Sequence, residues 1–141
     1  MKKKNSYSDF DQEKRDFLLR NFRKALLGQS EFDKNKAFHI ASQTPTPRFW
    51  VSEVRAAAVI GKLLSGNDPT LEMLPEKREM FLEIYRRFLR LRAERKEETI
   101  SQLLFEVINN EAPRSYLSWQ TVRTLVYKEM RRRKIERRSL R

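Results

Sequence analysis

The chain has 141 residues, a net charge of +12 from 31 Lys and Arg against 19 Asp and Glu, and 39% hydrophobic residues, among them nine Phe, two Trp and four Tyr. That apolar content supplies a real core and excludes wholesale disorder, while the charge points to polyanions, nucleic acid before an anionic membrane surface. The absence of cysteine excludes disulfides, thiolate catalysis and Cys-based zinc sites and fits a reducing cytoplasm, and no apolar run approaches the roughly 20 residues of a membrane span.

In chain order, "MKKKNSYSDF" opens with lysines but no apolar segment follows, so residues 1–12 read as a flexible basic arm and not a signal peptide. Phe17, Leu18, Phe22, Ala25 and Leu26 then form one apolar stripe at helical spacing, which ends at Gly28. Ala37, Phe38, Ile40 and Ala41 mark a second helix from about Asp33 to Ser42. "TPTP" (Thr44 to Pro47) breaks it, because proline disfavours helix at its own position and at the one before. Ser52 caps a third helix with Ala56, Val59, Ile60, Leu63 and Leu64 on one face.

The turn-rich "SGNDPT" starts a linker over residues 67–75. Beyond Pro75, Phe81, Ile84, Tyr85, Phe88 and Leu89 share a side of a fourth helix. Thr99 caps a fifth, with Ile100, Leu103, Leu104, Val107 and Ile108. Ser118 opens a last helix with Val122, Leu125 and Val126 inward.

The halves repeat. Glu13–Leu27 aligns with Glu76–Arg90 at an offset of 63, with six of fifteen positions identical. "PRFWVS" (Pro47 to Ser52) recurs as "PRSYLS" (Pro113 to Ser118) at an offset of 66. A duplication follows, and the expected fold is all-α: two tandem three-helix, helix-turn-helix-like units over 13–66 and 76–134, with a basic tail over 135–141.

Leu117, Ser118, Thr121, Val122, Leu125 and Val126 resemble the recognition segment of LuxR-type and sigma-like helix-turn-helix domains. The resemblance implies that the last helix enters the major groove. One departure is the connection from about Asn109 to Ser118, longer than the usual three-to-four-residue turn. "PRFWVS" is also similar to a motif of short uncharacterised basic bacterial proteins, which implies no function.

With Val122, Leu125 and Val126 inside, Gln120, Arg123, Thr124, Tyr127 and Arg131 face outward. Gln pairs with adenine and Arg with guanine, while Thr and Tyr reach bases or phosphates. From Lys128 onward eight basic residues stand against two acidic ones. Lys128, Arg131, Arg132, Arg133, Lys134, Arg137 and Arg138 are therefore expected phosphate contacts. The first copy carries Val54, Ala57, Ala58 and Gly61 where the second has Gln120, Arg123, Thr124 and Tyr127. Ala57, Ala58 and Gly61 are expected to serve helix packing, against the other copy or a second subunit. Arg48 and Arg114 of the two corners are expected to bridge to a neighbouring helix or to meet phosphate.

The expected partner is double-stranded DNA, bound as an accessory or transcription-regulatory factor in the cytoplasm, with no membrane partner. A docking role in a nucleoprotein or virion assembly, and RNA or ribosome association, stay open. His39 is the lone histidine, and no glycine-rich phosphate loop, nucleophile elbow or paired metal-ligand spacing occurs. No catalysis, metal or cofactor is expected.

Overall fold

A computed structural model describes residues 10–139. Among these residues six α-helices carry the fold: α1 (Asp11–Leu27), α2 (Lys34–Gln43), α3 (Glu53–Leu64), α4 (Pro75–Glu94), α5 (Ile100–Ile108) and α6 (Trp119–Ser139). The fold is all-helical among the described residues, with one isolated bridge between Thr46 and Ala112. No helix among the described residues is long and apolar enough to cross a membrane.

The helix starts follow side-chain chemistry. The side chains of Asp33, Ser52 and Thr99 accept from the amides of Lys36, Arg55 and Gln102. Gln102 returns a bond to the Thr99 amide, closing a capping box. Ser118 accepts from the Thr121 amide at 3.2 Å. Pro75 occupies the first turn of α4, where a missing N–H costs nothing.

The helices assemble into two lobes, but not the two read from the sequence. α1 and α2 pack on α6, whereas α4 and α5 pack on α3. The first core holds Leu18, Leu19, Phe22, Ala37, Phe38 and Ala41 with Val122 and Val126 from the far end of the chain. The second joins Ala56, Val59 and Ile60 to Phe81, Ile84, Phe88, Leu103, Leu104, Val107 and Ile108. Neither 13–66 nor 76–134 closes on itself. The two units exchange their third helices.

The corners make the exchange. The prolines forbid helix after α2 and leave the chain extended, so α3 starts too far along to fold back on α1 and α2. Thr46 and Ala112 are repeat-equivalent, and each donates its amide to the other's carbonyl, at 3.0 and 2.9 Å. Phe49 N–H donates to Ile108 O at 2.9 Å, and its counterpart Ser115 N–H donates to Ser42 O at 3.3 Å. Bonds that map onto one another under the repeat define an internal two-fold axis between Thr46 and Ala112, the isologous geometry of a symmetric dimer. Thr46, Ala112, Ser42 and Ser115 are all buried at this seam.

Side chains in each corner alternate between lobes. Trp50 turns back onto Phe10 and Phe17, with ring centroids 6.0 and 6.2 Å away. Val51 joins the opposite core, and Leu117 does the same in the other direction. Tyr116 takes a left-handed φ of 58° and its ring stacks on Phe49, centroids 6.1 Å apart.

Three boundaries differ from the sequence reading. Phe10 is fully buried and α1 begins at Asp11, so residues 10–12 belong to the fold; the rest of the expected arm lies outside the described residues. The expected linker contains a 3-10 turn, Pro69–Glu72, with Thr70 buried. The expected tail is helical as far as Ser139, where α6 ends, and its last two positions lie outside the described residues.

Candidate nucleic-acid interface

The first half of α6 turns Val122 and Val126 into the α1–α2 core and leaves Gln120, Arg123, Thr124, Tyr127 and Lys128 exposed. These residues and Arg131 sit where the stripe of inward positions predicts. Arg123 lies over the Trp119 ring at 5.1 Å and His39 of α2 lies 5.0 Å from the same ring. Tyr127 sets an edge against Phe38 with centroids 5.7 Å apart. The face is thus anchored by α1 and α2. The expectation of a unit over 76–134 sets it on α4 and α5 instead.

The second half of α6 sorts its cations by partner. Glu129 is fully buried at 0% exposure. Its carboxylate accepts from Arg132 at 2.8 and 3.1 Å, from Arg133 at 2.8 Å and from Gln12 at 3.0 Å. The Arg132 bonds, ahead of those from Arg133 and Gln12, hold its pKa down to about 2 against the cost of burial. Arg133 also reaches Asp16 at 2.8 Å. The links 12–129 and 16–133 keep one spacing, so α1 and α6 run side by side in the same direction here.

Arg132 and Arg133, expected among the phosphate contacts, are therefore half-buried members of an ion-pair network that docks α6 on α1. Arg131, Lys134, Arg137 and Arg138 are exposed, and no carboxylate among the described residues pairs with them. They extend the stripe of Gln120, Thr124 and Tyr127, so the polar face and the unneutralised cations are continuous along α6.

Arg20 and Arg23 escaped the sequence reading. Both are exposed on α1 beside this stretch. Arg23 shares a hollow of about 340 Å³ with Met130, Arg131, Arg133, Lys134 and Arg137. Nothing local in "LRNFRKALL" distinguishes them from solvated helix charges.

The corner arginines are structural. Arg114 pairs with Glu79 and covers the Tyr116 ring at 4.9 Å. Arg48 covers Phe10 at 4.8 Å and donates to the Phe49 carbonyl. Of the small-residue face of α3, Ala57 packs against the other copy, through the core that α3 shares with α4 and α5, and the rest is open. Ala57 is half-buried against the second core, but Ala58 is exposed, Val54 is 78% exposed and a Cβ on Gly61 would meet open space. Stepping α3 through Ala56, Val59 and Ile60 into the exchanged core turns this opposite face outward. Gly61→Ala should accordingly raise stability by about 0.5–1 kcal/mol through helix propensity alone, measured by urea unfolding; a loss of stability would show that Gly61 is in contact after all.

No family model, curated protein or solved structure matches the chain.

Proposed function

We propose that this protein binds double-stranded DNA through α6, as a small accessory or regulatory factor of the cytoplasm. One observation carries the reading. Along a single face of α6, Arg131, Lys134, Arg137 and Arg138 lack carboxylate partners among the described residues, while Arg132 and Arg133 beside them are neutralised within the fold. A fold that pairs some cations and lines up others in the open is self-repelling on that face, and a phosphate backbone removes the repulsion. The amino-terminal part of α6 then presents Gln120, Arg123, Thr124 and Tyr127 for base edges, with the docking of a recognition helix.

Only one of the two lobes carries such a face, since α3 shows Val54, Ala57, Ala58 and Gly61 instead. Internal symmetry therefore does not imply two half-sites per chain. The open α3 face supports a second reading, in which the protein docks into a nucleoprotein assembly while α6 holds nucleic acid. Sequence-independent binding to duplex favours assembly, and a defined footprint favours a regulator.

The test is a salt titration of binding to duplex DNA, single strands and structured RNA. Neutralising Arg131, Lys134 and Arg137 to Gln should cut duplex affinity at least about tenfold and flatten the log–log salt slope by nearly three. Unchanged affinity and slope, or a preference for structured RNA, would sink the DNA reading.

A further inference from the structure

We infer that Arg20 and Arg23 of α1 complete, with the unpaired cations of α6, a seat for one phosphodiester strand between the two helices. The inference rests on the DNA reading of α6 and extends it to a second helix. Two hollows adjoin along this junction. One of about 340 Å³ is walled by Arg23 and by Arg131, Lys134 and Arg137 over Met130. The next, about 300 Å³, lies between Arg20, Arg23 and Arg133 over Leu19 and Asp16. Arg23 and Arg133 belong to both.

Acid at this junction is already committed. Asp16 bonds Arg133, and Glu129 is sealed beneath Arg132 and Arg133. Among the described residues no carboxylate pairs with Arg20, Arg23, Arg131, Lys134 or Arg137. Arg131, Lys134 and Arg137 stand three residues apart, a cation about every 4.5 Å along the helix axis. Arg20 and Arg23, also three apart, repeat this on α1, which runs alongside. Two parallel rows of charge flanking a furrow fit a polymer of phosphates better than a single anion, which would engage one end only.

The other lobe shows what a closed version looks like. Arg20 corresponds to Glu83, whose carboxylate binds Arg86, the counterpart of Arg23, and Arg87. α3 stops at Leu64, the repeat position of Met130, so the stretch of α6 that carries Arg131, Lys134 and Arg137 has no counterpart in the other lobe. There the α4 cations meet a carboxylate and no basic helix lies beyond, so the seat occurs once per chain. An anionic membrane is the weaker fit, because the exposed large apolar side chains on this part of α6 are Met130 and Ile135, with Met130 inside the furrow.

The experiment uses the full chain. Arg20→Gln with Arg23→Gln is compared with a control of equal charge change, Arg86→Gln with Arg90→Gln, for binding to a short random duplex and to phosphatidylglycerol vesicles. All four side chains are exposed, so melting temperatures should match the parent and report any misfolding. The seat variant should lose about tenfold in duplex affinity and about two from the salt slope, and the control at most a few-fold. If the seat variant keeps the parent slope, or the control loses as much, the seat is wrong while the DNA reading stands. If the parent binds vesicles but no duplex, both fall.

Discussion

Cut between Ser65 and Pro69, the chain should yield two halves that do not fold as monomers and that combine one to one when mixed. The amino-terminal half brings α1, α2 and α3, yet α3 buries Ala56, Val59 and Ile60 in a core whose helices, α4 and α5, belong to the other half. The carboxy-terminal half strands Val122 and Val126 in the same way. A fully buried Val or Ile contributes about 1.5–3 kcal/mol, so each unpaired half exposes several such residues and loses the lid of its core. Mixing restores both cores and the Thr46–Ala112 seam. Since Ala56, Val59 and Ile60 occupy the repeat positions of Val122, Leu125 and Val126, a half alone should associate with a second copy of itself, trading third helices between chains. Sedimentation and circular dichroism of each half and of the mixture test this. A folded monomeric half would overturn the exchanged architecture.

The exchange explains which parts of the fold were legible in the sequence. Ser52, Thr99 and Ser118 announced the helix starts because an N-cap is a contact within four residues. The stripes of α1, α4 and α5 announced inward faces because periodicity is local. Neither signal says whose core a stripe enters. Leu125–Val126 and Val59–Ile60 are aliphatic pairs of similar size, and either fits beneath either pair of first helices. The extended prolines of each corner were visible, but the reciprocal bonds of Thr46 and Ala112 join residues 66 apart, beyond any local pattern.

Site residues divide the same way. The outward position of Gln120, Thr124, Tyr127 and Arg131 follows from helical geometry and was legible. The difference between Arg131 and Arg132 was not, because it depends on a buried Glu129 whose neighbours include Gln12 and Arg15 of α1. Arg20 and Arg23 join the site only because α6 crosses to the first lobe. With tandem units they would lie far from the basic helix.

Glu129→Gln should move stability and DNA binding in opposite directions. The carboxylate is the central acceptor for Arg132, Arg133 and Gln12, and charge-assisted bonds of this kind contribute about 1.5–3 kcal/mol. Arg132 and Arg133 are partly open to water, so the variant leaves them solvated and not trapped, and the loss should be on the order of 2 kcal/mol. The acid limb carries the sign. A folded pKa near 2, below the ordinary carboxylate value of 4.5, means stability that is complete above about pH 5 and fades as pH falls from 4.5 toward 2. The variant lacks this contribution at every pH, so the two unfolding curves should converge in acid and separate at neutrality. Binding should respond the other way. Losing one negative charge and freeing two arginines beside Arg131 and Lys134 adds uncompensated positive charge at the furrow, which should steepen the salt slope and tighten duplex binding several-fold. A residue that only stabilised the fold would weaken both properties together. Weaker binding by a variant still folded at the assay temperature would therefore place the phosphate contacts somewhere other than this part of α6.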